Sequence, residues 1–404
     1  MIKTERLYYK DSHLTDFDAV VVGVETSANG VVLDRTAFYP TGGGQPTDIG
    51  TLGESRVVEC IDREDQGILH IIDGKPPEIG DAVRGRINWP RRLDHLQQHT
   101  AQHILSQALI ELYGADTRAF RMLENTSEID VALAEASAER IERAVERANQ
   151  IIWENRPVHT RYVSADEART LPLRKDSARQ GELRIVEIEG FDMNACGGTH
   201  AHRTGEVGIV AVRSWERAKG LTRLEFVAGG RLLTDYRTAN KVAKGVAAFF
   251  SVGRDNAPAA VTRLIEENKS LMRRLHDLEE MASQAEAETL LVEGVIRSTD
   301  GARVIARSFE HKELDELKRL AHILVERPGV VALLASSGDQ NAARLVFARS
   351  ANLPDDMNQT LRDTVSQLSG RGGGTTSFAQ GGGLADAEKL HAIIDAIRIR
   401  TLGP

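Results

Sequence analysis

Two pairs of potential metal ligands, far apart in the chain, constrain the fold more than any other feature of the sequence. His99 and His103 stand four residues apart in the helix-like segment "DHLQQHTAQH", and this spacing places two imidazoles on neighbouring turns. Cys196 and His200 are also four residues apart, on the glycine-containing turn "NACGGTH". Because many residues separate the two pairs, only a folded chain that joins the helix to the turn brings them together.

Imidazole and thiolate together favour Zn²⁺, so the four residues predict one zinc ion per chain. The alternative is that the two histidines of the helix only occupy an ordinary helix face. His95, on the same face, is not needed as a ligand and could instead orient one. His202 points away from the site if the segment after His200 is extended.

The ligand types do not decide the chemistry of the predicted site. A zinc-associated water with a lowered pKa would be the natural nucleophile for hydrolysis, and no side chain is identified as general acid or base. Four protein ligands are typical of a structural zinc site, whereas a catalytic zinc keeps one position open. Either one ligand binds loosely, the metal expands its shell, or the ion mainly positions a substrate.

The first half of the chain predicts a small β domain followed by an α+β domain. Residues 1–90 contain short β-branched or alternating segments, such as "AVVVGVE" and "GILHIID", which favour a small barrel or sandwich. From Arg91 the pattern becomes helical, with Gly114 as the expected C-cap. A second amphipathic helix and three strand-like segments follow, so residues 91–235 are expected to form the α+β domain.

The second half is expected to contain a helical spacer and a small α/β domain. Residues 236–298 include Leu264, Leu271 and Leu278 at heptad-like spacing, which predicts a long helix or helical hairpin that serves as spacer or dimer contact. Residues 299–404 alternate between strand-like and helical segments. Their glycine run "GRGGGTTSFAQGGG" is interpreted as a structured binding loop, because a flexible linker inside a domain would reduce cooperativity.

Composition limits the partners and the location. The 404 residues carry a net charge of −8, so a nucleic acid would have to meet a local basic patch, for which "RGRINWPRR" is the best candidate in the first half. A solvated turn is the alternative interpretation of that segment. The two cysteines argue against a disulfide framework and favour a reducing, cytoplasmic setting. No apolar run is long enough to span a membrane.

Several motifs, in order, give the chain a resemblance to a known family. "LDRTAFYPTGGGQPTDIG", "HTAQH", "CGGTH" and "TGEVG" resemble the editing domain of alanyl-tRNA synthetases and its free-standing relatives, the alanyl-tRNA editing proteins of the AlaX type. "GRGGGTTSFAQGGG" is similar to the DHHA1-like C-terminal domain of the same synthetases. The resemblance covers nearly the whole chain, and the long form of the free-standing family is the best match.

The resemblance implies a trans-editing hydrolase that cleaves the aminoacyl ester of tRNA(Ala) mischarged with serine, with glycine as a second candidate. It implies a small N-terminal β-barrel packed on a two-layer α+β editing domain, with the active cleft between them. By their place in the motifs, the zinc ligands become His99, His103, Cys196 and His200. The chain starts where the editing module starts, so activation of alanine is not expected.

The same resemblance suggests which residues meet the aminoacyl group. Thr41 is expected to read the serine hydroxyl, with Thr36 as the alternative. A site that hydrogen-bonds a substrate hydroxyl discriminates against a substrate that lacks it. The loop that follows would approach the ester or the terminal adenosine through Gly42, Gly43, Gly44 and Gln45.

The tRNA is expected to bind at two further places. Its acceptor end would lie near Arg84, Arg86, Arg91 and Arg92. Phosphates elsewhere on the tRNA would meet Arg371, Gly372, Gly373, Gly374 and Lys389. A C-terminal domain used for homodimerisation is the alternative. Two other function classes stay open: a zinc hydrolase of small aminoacyl esters or amides, and a non-catalytic tRNA-binding protein.

Overall fold

The computed structural model describes residues 4–174 and 181–403. The chain forms two compact units, which divide between Val246 and Ala247. The domain boundaries predicted above after residues 90, 235 and 298 are finer than this division and stay predictions. In the described part of the chain, no helix is both long enough and apolar enough to cross a membrane.

A closed antiparallel barrel lies near the start of the first unit, which confirms the predicted small β-barrel. Within the described residues its strands are Asp16–Glu25, Gly30–Leu33, Gly50–Leu52, Ser55–Asp62, Ile68–Asp73 and Ala82–Ile87. Alternation along the first strand turns Phe17 and Val21 into the core. Gly85 leaves room for the ring of Phe17 inside the barrel, because a Cβ at this position would lie 2.3 Å from that ring. A separate parallel pair joins Glu5–Arg6 to Arg35–Thr36.

The long helix α1 (Trp89–Tyr113) follows the barrel and carries the HTAQH motif. It begins at an N-cap, where Arg91 N donates to Asn88 Oδ1 at 3.1 Å and Pro90 occupies the first turn. Gly114 ends the helix in the left-handed conformation, with φ 60°, as predicted. The side chains of the middle turns are mostly buried, so the histidines there lie inside the protein.

α1 and a second helix, α2 (Ala138–Trp153), pack on an antiparallel sheet through a shared apolar core. In spatial order its strands are Val210–Ala218, Leu221–Ala228, Ser127–Val131 and Thr117–Met122. A second antiparallel sheet joins Val158–Ser164, Glu182–Ile188 and Asp192–Ala195, and the short helix α3 (Ala165–Ala168) follows the first of these strands. The mixture of helices and sheets confirms the α+β class, and the last strand leads directly into the CGGTH motif.

Helices account for the predicted spacer. α4 (Gly229–Phe249) crosses the division between the units, and α5 (Ala257–Glu293) lies in the second unit. The predicted long helix is therefore confirmed. Its heptad leucines, Leu264, Leu271 and Leu278, are 51%, 65% and 54% exposed, so they form no part of a core in this chain. The dimer contact predicted for them stays a prediction.

The second unit contains a sheet with helices on both faces. α6 (Leu314–Glu326) covers one face together with the end of α5, while α7 (Met357–Ser366) and α8 (Ala387–Leu402) cover the other. In spatial order the strands are Val295–Ile296, Arg303–Glu310, Val330–Ser337, Ala342–Arg349, Phe378–Leu384 and Arg371–Gly374. The predicted alternation of strands and helices is confirmed here.

The glycine run of the second unit is structured, but as a strand pair, so its interpretation as a loop is wrong. Arg371–Gly374 pairs antiparallel with Phe378–Leu384 at the edge of the sheet. A Cβ on Gly374 would lie 2.2 Å from the carbonyl oxygen of Phe378, and one on Gly372 would lie 2.7 Å from that of Gln380. The strands are therefore too close for side chains. Glycine has a low β-propensity, which conceals such strands in a sequence.

Candidate metal centre and substrate cleft

The structure brings the two predicted ligand pairs together. His99 and His103 lie on the buried face of α1, and each is 2% exposed. The loop that carries Cys196 and His200 lies directly against them, since a Cβ on Gly198 would be 2.1 Å from His99 Cε1. Only glycine lets the loop backbone approach the ring so closely.

The ligand atoms converge on one point. His99 Nε2 and His200 Nε2 each lie 3.4 Å from Cys196 Sγ. With His103 included, one ligand atom from each of the four residues lies within 4.8 Å of the other three. These separations are those of neighbouring ligands around one small metal ion.

Each imidazole is oriented by a different partner at its other nitrogen. His99 Nδ1 is 2.8 Å from Gln45 Oε1, and His103 Nδ1 is 3.0 Å from Asp192 Oδ2. The hydroxyl of Thr100 lies 3.4 Å from the Nδ1 atom of His200. Because every Nδ1 has a partner, every Nε2 is available to a metal, and such partners fix the ring and raise its basicity.

The environment shifts the pKa values of three of these residues, and for Cys196 and His200 the shift favours the form that binds a metal. Burial alone would raise the pKa of Cys196, but His99, His200 and His103 outweigh it and hold the pKa of the thiol well below its ordinary value. Burial lowers the pKa of His200 well below 6.5. For His103, hydrogen bonds to Asp192 and Cys196 outweigh burial and raise the pKa. A thiolate with three buried imidazoles is a donor set that fits Zn²⁺.

Asp192 and Arg174 support this group, and sequence reasoning missed both. Asp192 is 4% exposed and accepts from His103, while its other oxygen forms an ion pair with Arg174 at 3.2 Å. A signal existed in "DMNAC", where an acid stands four residues before the cysteine. Its meaning depends on the pairing of strands Glu182–Ile188 and Asp192–Ala195, which the sequence does not specify.

Gln45 does not have the position predicted for it. It is 1% exposed, and besides its contact with His99 it donates from Nε2 to Thr199 Oγ1 at 2.8 Å and accepts from Thr199 N at 3.2 Å. It therefore orients a candidate ligand and links the barrel loop to the CGGTH motif. The prediction that Gln45 contacts the substrate is wrong, because its amide is fully engaged inside the protein.

The metal group forms part of the wall of a cleft with a volume of about 1030 Å³. The cleft is lined by three of the four candidate ligands, His99, His103 and Cys196, and by the loop residues Thr41, Gly42 and Gly43. His200 lines a separate, small cavity. The group is therefore buried and yet borders an open space, so a molecule in the cleft can lie next to it.

Thr41 and its rival Thr36 lie in different environments. Thr41 is exposed on the cleft wall, and its backbone N–H donates to Cys60 O at 3.2 Å. Thr36 is fully buried, with its hydroxyl 2.8 Å from His70 Nε2. Of the two threonines, only Thr41 can meet a molecule in the cleft.

The glycines after Thr41 shape the same wall. Gly43 and Gly44 have φ of 58° and 82°, which favours glycine at both positions. A Cβ on Gly44 would lie 2.5 Å from Phe120 O, so this residue packs on the neighbouring strand instead of lining the cleft. Gly42 is held by Tyr39, whose hydroxyl donates to its carbonyl oxygen at 3.0 Å.

The arginines of "RGRINWPRR" divide into surface and core residues. Arg84 and Arg86 are exposed on a barrel strand and share an ion pair with Asp16. Arg91 is half-buried and donates to a backbone carbonyl. Arg92 is fully buried, forms an ion pair with Asp48 and donates to two backbone carbonyls at 2.6 Å. The prediction that Arg92 binds RNA is therefore wrong, because its guanidinium is fully buried and its hydrogen-bond partners lie inside the protein.

In the second unit, the residues predicted to meet tRNA lie at the surface. Arg371 is exposed at the start of the edge strand that also contains Gly372, Gly373 and Gly374. Lys389 is exposed in the first turn of α8, where its backbone N–H donates to the N-cap Asp386. The positions suit a contact with phosphates, and the contact stays a prediction.

His95 and His202, which lie close in sequence to the candidate ligands, lie outside the metal group. His95 is buried, but its Nδ1 has no hydrogen-bond partner in the part of the chain that the structure describes and lies 4.0 Å from Asp48 Oδ1. Burial lowers the pKa of His95 to about 3. His202 is more than half exposed and stacks on His13 at 3.7 Å. Asp11, His13 and His202 together form a second group of potential ligands, at the protein surface.

Comparison with known proteins agrees with this site. Residues 183–225 match the family model of the threonyl and alanyl tRNA synthetase second additional domain, and residues 4–91 match that of the class II (A) tRNA synthetases. The first match contains Cys196 and His200. The fold and the site thus define a protein of the class that contains the editing domains of aminoacyl-tRNA synthetases.

Longer matches narrow the class to a family. The chain is 33% identical to the alanyl-tRNA editing protein AlaX-L of Pyrococcus horikoshii, over 96% of this chain and 97% of the relative. The chain belongs to this AlaX family of alanyl-tRNA editing proteins, in its long form, as the motifs implied.

Full-length synthetases are similar as well. The chain is 34% identical to the alanine–tRNA ligase of Natronomonas pharaonis, over 98% of this chain and 43% of the ligase. It thus spans less than half the length of that enzyme. The C-Ala domain of Aquifex aeolicus alanyl-tRNA synthetase is 28% identical over 24% of this chain and 90% of that domain, at a TM-score of 0.22, which is too low to support an argument about the fold.

Proposed function

We propose that this protein removes serine from mischarged tRNA(Ala) by hydrolysing the aminoacyl ester. The observation that carries the proposal is the convergence of three imidazole Nε2 atoms and one thiolate on the wall of a large cleft. The name of the P. horikoshii relative, an alanyl-tRNA editing protein, supports the substrate class. A tRNA substrate places the protein in the cytoplasm.

We propose that one Zn²⁺ is held by His99, His103, Cys196 and His200. When bound, Zn²⁺ supplies Lewis acidity to the cleft wall. The chain itself fixes the direction of each ligand, because the Nδ1 partners leave no freedom of ring rotation. The lowered pKa of the Cys196 thiol favours the thiolate that binds the metal, whereas the raised pKa of His103 favours a proton that metal binding must displace.

Thr41 is the residue we propose for recognition of serine. Its side chain faces the cleft that the metal ligands line, whereas Thr36 is enclosed in the barrel. A hydroxyl on the wall can pair with the serine hydroxyl and has no partner on an alanyl group, so correctly charged tRNA is spared. Glycine also lacks the hydroxyl, and Gly-tRNA(Ala) is therefore expected to be a poorer substrate than Ser-tRNA(Ala).

The tRNA body is proposed to contact exposed basic side chains on both units. Arg84 and Arg86 offer charge beside the barrel, and Arg371 and Lys389 offer it on the second unit. Such contacts add affinity that falls with salt and carry little sequence information. The exposed leucines of α5 suit a homodimer as a further role.

A deacylation assay tests the proposal against its alternatives. Zinc-loaded protein is incubated with Ser-tRNA(Ala), Gly-tRNA(Ala), Ala-tRNA(Ala) and the methyl ester of serine. Release of serine from Ser-tRNA(Ala) in preference to the other three is expected. Equal rates on the small ester would instead indicate a general ester hydrolase. Binding of tRNA without faster decay than in buffer would indicate a non-catalytic protein.

A further inference from the structure

Arg184 lies in the cleft wall, and no carboxylate of the described residues balances its charge. It belongs to the strand Glu182–Ile188, is 8% exposed and lines the cleft. Its Nη1 donates to Cys196 O at 2.8 Å and to Gly198 O at 3.0 Å. Its Nε is buried and has no hydrogen-bond partner, and within residues 4–174 and 181–403 no carboxylate forms an ion pair with it.

A buried cation is normally paired, because desolvation of an isolated charge is strongly unfavourable. The other charges of this wall show the usual pattern. Arg6 forms two hydrogen bonds with Asp62, at 2.6 and 2.8 Å, and Arg174 pairs with Asp192. Among residues 4–174 and 181–403, the hydrogen-bond partners of Arg184 are neutral carbonyl oxygens. Its counter-charge is therefore expected to come from a molecule in the cleft.

Two tyrosines lie near Arg184, and one of them faces its guanidinium. Its Cζ lies 5.1 Å from the ring centroid of Tyr9. Tyr162 is the residue directly opposite Arg184 in the antiparallel strand pair, so both side chains lie on the same face of the sheet. The Tyr162 ring is 46% exposed and lies 6.5 Å from the Tyr9 ring. Both tyrosines line the cleft.

The cleft is too large for an amino acid alone. Its volume of about 1030 Å³ is at the upper end of the range for pockets that enclose whole drug-sized ligands, roughly 300–1,000 Å³. Tyr9 also stands next to the metal-ligand loop, since a Cβ on Gly197 would lie 3.4 Å from its hydroxyl. A ligand bound against the two tyrosines would therefore lie next to a group bound at the metal site.

We propose that Arg184, Tyr9 and Tyr162 form the binding site for the terminal nucleotide of the tRNA. The exposed ring of Tyr162 stacks on the base, Tyr9 borders the base with its ring inclined at 73° to that of Tyr162, and the guanidinium pairs with the phosphate of that nucleotide. Unpaired RNA bases stack on aromatic side chains with little regard to sequence, and arginine is the side chain best suited to phosphate. This assignment rests on the proposed function, because it requires that the substrate ends in a nucleotide.

Calorimetric titration of the zinc-loaded full chain with AMP and with adenosine tests the assignment. AMP is expected to bind more tightly than adenosine, by about tenfold or more, because a charge-assisted hydrogen bond is added. Tyr162→Ala is expected to weaken both ligands several-fold, while the matched variant Tyr162→Phe keeps both affinities. Tyr162 is exposed, so neither change disturbs the core.

Arg184→Gln is expected to remove the preference for AMP and to leave adenosine binding unchanged. Its zinc content is measured alongside, because Arg184 also holds the backbone of the CGGTH loop. If that variant loses zinc, Arg184→Lys, which keeps the charge, is expected to retain most of the preference. Equal affinity of wild-type protein for AMP and adenosine, or unchanged affinities in Tyr162→Ala, would overturn the assignment.

The test separates this assignment from the proposed function. Binding of AMP with the expected response to the variants, in a protein that leaves Ser-tRNA(Ala) intact, would refute deacylation and keep the nucleotide site. Deacylation of Ser-tRNA(Ala) with a KM that Tyr162→Ala does not raise would refute the nucleotide site and keep the function.

Discussion

Thr41→Val is the substitution that tests substrate recognition most sharply. The threonine faces the cleft, and its loop is fixed by backbone hydrogen bonds that the change leaves intact, including that from Thr41 N to Cys60 O at 3.2 Å. Valine keeps the shape of the side chain and removes only the hydroxyl. Zinc content and melting temperature are therefore expected to stay as in the wild type.

The magnitude follows from the loss of one neutral hydrogen bond. Such a bond contributes about 1 kcal/mol, and about 1–3 kcal/mol if the serine hydroxyl is left buried without a partner. The rate on Ser-tRNA(Ala) is thus expected to fall by roughly fivefold, and up to about 100-fold in the buried case. The slow rate on Ala-tRNA(Ala) should hold or rise, because the wall becomes less polar.

Single-turnover deacylation of both substrates gives the Ser/Ala rate ratio directly. Thr36→Val is the matched control, since Thr36 is fully buried and its hydroxyl pairs with His70 and Phe38 N. It should reduce stability by about 1–3 kcal/mol without changing the ratio. If the ratio is unchanged in Thr41→Val and collapses in Thr36→Val, the assignment of serine recognition to Thr41 is refuted, and Thr36 is the residue that recognises serine. If neither variant changes the ratio, the glycine loop is only a structural turn.

Other parts of the structure give further predictions. Asp192→Asn should weaken zinc binding by about 10–100-fold, as measured by competition with a chelator, whereas Asp116→Asn, also on the cleft wall, should not. Asp48→Ala leaves Arg92 buried and unpaired, so urea denaturation should show a loss of about 3–5 kcal/mol, while Arg91→Ala should have little effect. Burial lowers the pKa of His70 from 6.5 to about 4, so the unfolded chain binds a proton that the folded chain refuses between these values. Stability should therefore fall as the pH drops from about 6.5 to about 4, by roughly 3 kcal/mol from this residue, and the fall should be smaller in His70→Gln. The double variant Arg371→Ala and Lys389→Ala should weaken tRNA binding and flatten its salt dependence, with zinc content unchanged, and an unchanged affinity would favour a dimerisation role for the second unit.

Local patterns were sufficient to predict the elements that carry the site. The helical pattern of α1 was predicted from Arg91 to the C-cap Gly114, and the structure begins the helix two residues earlier, at Trp89, after the N-cap Asn88. His99 and His103 share a face because a helix has a fixed period. The β-branched segment "AVVVGVE" predicted a strand in the same way, and it lies in the barrel strand Asp16–Glu25.

Residues whose roles depend on distant contacts were not predictable in the same way. Gln45 meets Thr199 across 154 positions, so its place behind His99 emerges only when the barrel loop packs on the CGGTH loop. Arg92 stands beside exposed arginines in the sequence, but the helix turns it inward to Asp48. Its burial depends on an acid far away in the chain, and a basic run conceals that difference.

The strand pair formed by the glycine run of the second unit could not be predicted, for a different physical reason. The run around Gly372 and Gly374 has the composition of a loop, yet close approach of two strands demands residues without a Cβ. The same property at Gly198 allows the CGGTH loop to reach His99. A glycine-rich composition indicates that the backbone closely approaches another strand or side chain, but only the fold identifies that neighbour.

The central claim is that the buried group of three histidines and one cysteine is the metal centre of a tRNA deacylase. Its most direct test measures zinc content and the half-life of Ser-tRNA(Ala) together, in the wild type and in Cys196→Ala. We predict one zinc per chain and rapid release of serine from Ser-tRNA(Ala) with the wild type, and loss of both in the variant. A variant that keeps one zinc per chain, or wild-type protein that leaves Ser-tRNA(Ala) at its decay rate in buffer, would contradict the claim.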